Sequence, residues 1–237
     1  LTKVSAISNT EVYNQLIASG NYADVSRDQN MDVIAGVIYE NPDDTSVATY
    51  VLVAKDNTII MAPEDVTELF ANLLHIKEIV FETLYFNNTS NMSGMFQGST
   101  NLEKVTFPTE SNTTTTIKPT YDKVTNVENM YNGCTSVTQP SVEVFTKVEE
   151  AENIFTGCEN LKEVDVSKWD YFDITWLEWL YNNQNSNVEK IIISQKIENQ
   201  LKEDLTADDY DKIKDKIEVS DKESDEEAMP DDYIPVL

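Results

Sequence analysis

Nucleophiles, bases and metal ligands do chemistry only when several converge, and this chain supplies few of them. Its one histidine, His75, stands between Leu74 and Ile76. A lone imidazole without a nucleophile elbow makes no Ser-His-Asp relay, so His75 reads as a surface or packing residue. The two cysteines, Cys134 and Cys158, hold the same slot in successive copies of a recurring stretch, where an earlier copy has Ser99. They are either a disulfide between stacked slots in an oxidising compartment or two small buried thiols filling a slot. Two cysteines make neither a disulfide framework nor a zinc site. Carboxylates are plentiful, but no pair suited to acid–base work stands out from an acidic background. The clusters Asn41-Pro42-Asp43-Asp44 and Asp225-Glu226-Glu227 lack the alternating oxygen ligands and central glycine of a calcium loop. The expectation is a protein that is not an enzyme, with no catalytic residue, no metal and no cofactor.

Recognition is the remaining class. Trp169, Tyr171, Phe172, Trp176, Trp179 and Tyr181 crowd one segment. Trp176 and Trp179 form either a binding patch or a seal between the last recurring stretch and a C-terminal helix. Glycosylation sequons occur in Asn87-Asn88-Thr89-Ser90, Asn91-Met92-Ser93 and Asn112-Thr113-Thr114, as chance predicts for so Asn-rich a chain. The 237 residues carry a formal charge of −26, from 17 basic and 43 acidic side chains. Such a surface repels nucleic acid and anionic lipid, so no nucleic-acid partner is expected. No apolar run reaches the roughly 18–20 residues of a membrane span, so no transmembrane segment is expected.

The elements that position these residues begin with a weak amphipathic helix around Val12, Leu16 and Ile17, ending at Ser19-Gly20. Residues 31–62 read as a small antiparallel sheet, with turns at Asn41-Pro42-Asp43-Asp44 and Asp56-Asn57. Together, residues 1–62 form an N-terminal segment and β-sheet cap.

Residues 63–194 read as a five-unit array. An apolar triplet spaced i, i+3, i+4 recurs as Val66/Leu69/Phe70, Met92/Met95/Phe96, Val127/Met130/Tyr131, Ala151/Ile154/Phe155 and Leu177/Leu180/Tyr181. That spacing puts three side chains on one face of a short helix. Two residues past each aromatic come Asn72, Gly98, Gly133, Gly157 and Asn183, the residue types that tolerate a left-handed helix end. The apolar positions then alternate, as in a strand with one buried face: Ile76, Ile79, Phe81; Leu102, Val105, Phe107; Val137, Pro140, Val142; Leu161, Val164, Val166; Val188, Ile191, Ile193. Pro140 interrupts the third of these strands. A polar insertion lies near 109–122. Residues 195–219 read as a C-terminal helical cap with a second start at Thr206-Ala207-Asp208-Asp209, and 220–237 as an acidic tail, disordered if left alone.

The stretches Asn91-Met92-Ser93-Gly94-Met95-Phe96-Gln97-Gly98-Ser99-Thr100-Asn101-Leu102 and Val124-Thr125-Asn126-Val127-Glu128-Asn129-Met130-Tyr131-Asn132-Gly133-Cys134-Thr135-Ser136-Val137 resemble the BspA-like leucine-rich-repeat family. The resemblance spans about 48–194 and is specific over 88–166. It implies an α/β repeat solenoid, leucine-rich-repeat-like, with a short helix and a short strand per unit. It also implies a surface protein engaged in adhesion. On these grounds the chain is expected to be an extracellular or cell-surface recognition module, binding a protein or glycan through the exposed strand face. The candidate residues are Lys104, Thr106, Gln139, Ser141, Glu163, Asp165, Lys190 and Ile192, with Trp176 and Trp179 beside them. The alternative is a structural or decoration subunit of a surface layer, appendage or virion, on a particle's exterior and docked on neighbouring subunits through a terminal segment.

Overall fold

The computed structural model describes residues 3–24, 32–41, 44–55, 59–111, 116–182 and 187–220. Strand β1, Lys3–Ser8, leads into helix α1, Thr10–Ser19. Asn9 caps that helix by accepting from the backbone N–H groups of Glu11 and Val12, and Gly20 ends it at φ 70°. Strands β2, Tyr22–Asp24, β3, Val33–Asn41, and β4, Asp44–Ala54, pair antiparallel in sequence. After a short β5, Ile60–Met61, come β6, Glu78–Phe81, and β7, Leu84–Tyr85. Then follow β8, Lys104–Thr106, β9, Glu163–Asp165, helix α2, Thr175–Asn182, and β10, Lys190–Ile193. Helices α3, Gln195–Asp204, and α4, Ala207–Ile213, precede β11, Ile217–Val219.

The main sheet is mixed and six-stranded, in the order β2-β3-β4-β1-β6-β8. Parallel β9, β10 and β11 make a second sheet with β10 at its centre, and β5 pairs with β7. One apolar core runs from Val4 to Ile213, and a smaller one lies under α1 around Tyr13, Leu16, Ile34, Val51 and Val53.

The expected solenoid of helix-plus-strand units with separate caps is overturned by this topology. The N-terminal residues do not cap an array. β1 lies between β4 and β6 and parallel to both, joining β2, β3 and β4 with the later strands β6 and β8 in one sheet. The apolar triplets of the first four stretches are not helical but form chains of turns. The C-terminal segment is not wholly helical either, since Ile217–Val219 extends alongside β10.

The reason the triplets fail to make helices is a second left-handed residue that apolar spacing does not register. Glu68, Gly94, Asn129 and Asn153, inside the triplets, have φ of 55°, 60°, 53° and 55°. Four residues later Asn72, Gly98, Gly133 and Gly157 have φ of 58°, 70°, 75° and 78°. Two left-handed residues four apart cannot both sit in a right-handed helix.

The backbone groups are satisfied differently. Within the second stretch Met95, Gln97 and Ser99 donate to the carbonyls three residues back, at 3.2, 2.9 and 3.1 Å. The intervening N–H groups of Met92, Gly94, Phe96 and Gly98 donate to Asn126, Glu128, Met130 and Asn132 in the next stretch at 2.7–2.9 Å. The first stretch donates in the same way to the second, and the third to the fourth. In the first three stretches alternate N–H groups thus close turns and join neighbours.

Aromatic rings follow the stacking direction. Phe70 and Phe96 have ring centres 6.3 Å apart, Phe96 and Tyr131 5.1 Å, and Tyr131 and Phe155 6.1 Å. The fifth stretch differs. Asn153 donates to Thr175 Oγ1 at 3.2 Å, and Asp173 accepts from the Thr175 N–H just as Asp65, Asn91 and Asn126 accept from Thr67, Ser93 and Glu128. That places Ile174, rather than Leu177, opposite Ala151, a correction of three residues to the expected alignment. The inner left-handed position then falls on Trp176, whose bulk excludes that conformation, and α2 forms instead.

The turns expected at 42–43 and 56–57, the Asn183 cap, the sequon at Asn112 and the tail from 221 onward lie outside the described residues.

Candidate functional site

Pro140 has no backbone N–H to add to a ladder, and no strand forms at 137–142. The main sheet therefore ends at β8 and the second begins at β9, with an irregular segment between them. Thr138 still accepts from the N–H groups of Lys162 and Glu163, at 2.8 and 3.3 Å, and Ser141 Oγ donates to the Val105 carbonyl at 2.8 Å. The missing strand leaves a groove of about 470 Å³ lined by Glu103, Lys104, Val105, Thr138, Gln139, Pro140, Ser141, Glu143, Glu163 and Asp165.

Five of the expected surface positions meet here: Lys104, Gln139, Ser141, Glu163 and Asp165. Gln139 Nε2 donates to Glu163 at 3.1 Å, and Asp165 accepts from both the N–H and Oγ of Ser167 at 3.0 and 2.6 Å. Lys104 reaches only 4.0 Å from Glu78 and stays exposed. Thr106 is half-buried at the end of β8. Lys190 and Ile192 are half-buried on β10, away from the groove lining, with Lys190 held at 2.9 Å by Glu218, which raises its pKa.

Trp176 is no surface residue. It is fully buried, its ring 5.1 Å from Phe155 and 5.8 Å from Phe172, so it seals the last turns. Trp179 sits within α2, and its side chain lies outside the described residues. Trp169 is buried too, donating its indole N–H to the Val142 carbonyl at 3.1 Å.

Spacing alone did not point to Glu103, Thr138 or Glu143. The signal for them is Pro140, which removes the strand that would have covered them. Partial withdrawal from solvent raises the Glu143 carboxyl, and Asp165 adds to the rise. The residue as a whole stays exposed to solvent.

The cysteine slot resolves into a ladder of donors. Ser99 Oγ donates to the Phe70 carbonyl at 3.0 Å, Cys134 Sγ to Phe96 at 3.1 Å and Cys158 Sγ to Tyr131 at 3.1 Å. Both thiols are free and buried. Burial pushes Cys134 up to about 12 and Cys158 well above the ordinary thiol range, so neither is a nucleophile at neutral pH. A second ladder follows from the residues before Leu102, Val137, Leu161 and Val188. Asn101, Ser136, Asn160 and Asn187 each donate a side-chain bond to a carbonyl of the preceding stretch, at 2.5, 2.7, 2.8 and 2.9 Å.

A shallower depression of about 370 Å³ is lined by Glu128, Glu149, Glu150, Ala151, Glu152, Tyr171 and Asp173. Among the described residues no group of His, Cys, Asp or Glu could hold a metal ion, and His75 is exposed without a catalytic neighbour. Among them, too, no helix is long and apolar enough to cross a membrane. A scan against protein families, a search of curated proteins and a search of solved structures each found no match.

Proposed function

We propose that this chain is a non-enzymatic recognition module of a cell surface or particle exterior, holding a protein or glycan ligand in the groove between β8 and β9. The carrying observation is the convergence of Lys104, Gln139, Ser141, Glu163 and Asp165 around one opening. An amine, an amide, a hydroxyl and two carboxylates offer both donors and acceptors, the mixture that sugar hydroxyls or a polar peptide require. The groove is wide and lacks an aromatic floor, which fits weak binding per module, strengthened by multivalency. The resemblance of residues 88–166 to BspA-like surface proteins supports the same reading.

The test is a glycan and peptide array probed with the whole chain and with a Lys104→Ala/Gln139→Ala variant. Both side chains are exposed, so the fold should persist. Loss of about tenfold in affinity for any specific ligand is expected, equivalent to about 1.4 kcal/mol. Binding that ignores both substitutions would move the site elsewhere. Ordered self-assembly in light scattering, with no array ligand, would favour the structural subunit instead.

A further inference from the structure

The stack of turns has one end that nothing described covers. In each interior stretch, four carbonyls accept from the stretch before: Asn91, Ser93, Met95 and Gln97 accept from Val66, Glu68, Phe70 and Asn72. The corresponding carbonyls of the first stretch belong to Asp65, Thr67, Leu69 and Ala71. The first stretch has the same left-handed residues at the same places, so these carbonyls point away from the second stretch. Among the described residues no backbone or side-chain group donates to them. β1 covers β6 on the strand side, but among the described residues no strand covers the turn side.

The apolar slot between stretches is open as well. Met95, Met130 and Ile154 are all 0% exposed, whereas Leu69 in the same slot is 51% exposed, with Leu74 at 50% beside it. Glu64, Asp65 and Glu68 rim this edge and are exposed. Glu68 takes the left-handed conformation that falls to Gly94, Asn129 and Asn153 in the other stretches. A glutamate tolerates it least, so a charge is held there against backbone preference.

The chemistry of the edge selects its occupant. It offers acceptors only, so a second copy docking through the same edge would set carbonyls against carbonyls. Head-to-tail stacking of copies needs an open donor end, and α2 covers that end. The edge is acidic and carries two exposed leucines, so it matches donors, positive charge and alternating apolar side chains.

We propose that this edge, residues 63–75, binds an extended basic segment of another polypeptide, whose backbone N–H groups donate to the carbonyls of Asp65, Thr67, Leu69 and Ala71. Leu69 and Leu74 take its apolar side chains, and Glu64 and Glu68 its cationic ones. This is strand addition to an open backbone edge, in which main-chain bonds give affinity and side chains give choice. The surface is separate from the groove between β8 and β9, and the two readings stand or fall independently.

The test uses a fluorescent short peptide of alternating lysine and leucine, read by anisotropy at physiological salt and mapped by amide chemical shifts. Two further peptides carry N-methyl groups on all lysine amides or on all leucine amides. Saturable binding is expected with shifts confined to 63–75, lost about tenfold or more in at least one N-methylated peptide. The Leu69→Ser/Leu74→Ser variant should weaken binding by a similar factor with unchanged circular dichroism, since both side chains are exposed. Absence of binding, binding of both N-methylated peptides as tight as that of the unmethylated one, or shifts centred outside 63–75 each overturn the proposal. A peptide of alternating glutamate and leucine that binds as well would overturn the charge selection.

Discussion

The two ends of the turn stack are built from similar apolar patterns and finish differently. At the end near α2, Trp176 is fully buried against Phe155, and Asn153 finds Thr175 Oγ1 in place of a backbone carbonyl. At the other end Leu69 is 51% exposed and Phe70 half-buried, with the carbonyls of residues 65, 67, 69 and 71 turned outward. The difference lies in which residue type reaches the inner left-handed position. A tryptophan there forces a helix and closes the stack, whereas a glutamate lets the turn form and leaves its outer edge unpaired. Closure of stacked turns is thus a matter of backbone conformation before it is one of hydrophobicity.

The largest expected effect comes from cutting the seal. Trp176→Ala should cost about 3–5 kcal/mol, the range for truncating a buried aromatic. Leu69→Ala at the open end should stay within about 0.5 kcal/mol, as for exposed positions generally. Urea unfolding of both variants measures the contrast directly. Similar losses at the two ends would mean that Leu69 is covered and that the asymmetry is false.

Left-handed positions give the next contrast, with opposite signs. Gly98 has φ 70°, and a Cβ there would stand 2.5 Å from Oδ1 of the exposed Asn72 side chain, so Gly98→Ala carries strain and must turn that amide aside. Its cost should be about 1–2 kcal/mol, against about 1 kcal/mol for Gly20→Ala, where the strain stands alone. Nothing lies within 4 Å of a Cβ at Gly20. Glu68→Gly at the open end should instead stabilise by about 1 kcal/mol, because it relieves strain already present. A destabilised Glu68→Gly would show that this glutamate makes contacts that matter to the fold.

These positions also show what the sequence made legible. Alternating apolar residues after each cap marked the inward positions, and all of them from Ile76 to Ile193 are buried. The glycine caps at 98, 133 and 157 were visible because glycine has one dominant reason to recur at a fixed place. The helix assignment failed because i, i+3, i+4 spacing fits consecutive turns as well as a helical turn. The discriminating residues were Gly94, Asn129 and Asn153, whose shared tolerance of positive φ was masked by Glu68.

The central place of β1 was not legible at all. Lys3–Ser8 is a short run whose partners, β4 and β6, lie far along the chain, and parallel pairing leaves no hairpin signal. Of the groove, Lys104, Gln139, Ser141, Glu163 and Asp165 were read from strand alternation, and Glu103, Thr138 and Glu143 were not. The groove's existence depended on Pro140, whose effect was foreseen as an interruption but not as an opening.

The thiol ladder runs from the open end toward the sealed one, and it should behave uniformly along that direction. Ser99 already performs the donor role with an oxygen, so Cys134→Ser and Cys158→Ser should cost no more than about 1 kcal/mol. Alanine at either place removes only a second donor, since the Phe96 and Tyr131 carbonyls keep the N–H groups of Ser99 and Cys134, and with the lost packing it should cost about 1–2 kcal/mol. Both thiols should resist an aromatic disulfide reagent at pH 8 in the native protein, because burial holds Cys134 up to about 12 and Cys158 well above its usual value. Titration after denaturation should recover both of them. Rapid native reaction of Cys158 alone would show that the sealed end opens locally.

The smallest effect tests whether charge helps hold the sealed end. Asp170 accepts from Lys196 of α3 at 2.9 Å and from Lys147 at 3.3 Å. The Lys196 hydrogen bond, with Lys147 adding to it, holds its carboxyl below the usual carboxylate range. A depressed folded pKa means that the folded state binds the proton less readily than the unfolded chain. The contribution is therefore complete above the unfolded value of about 3.9 and drains away as pH falls through the folded one. The Asp170 side chain is 48% exposed, so solvent screens the pair and the gain is a few tenths to about 1 kcal/mol. Asp170→Asn should lower stability by that amount from pH 7 down to about pH 5, with the gap to the unaltered protein closing below pH 4. Near the open end Lys77 and Glu103, 59% and 56% exposed, pair at 2.8 Å with no third ion-pair partner among the described residues. Glu103→Gln should change stability at pH 7 by no more than a few tenths of a kcal/mol, and a loss equal to or larger than that of Asp170→Asn would place the electrostatic fastening at the wrong end of the stack.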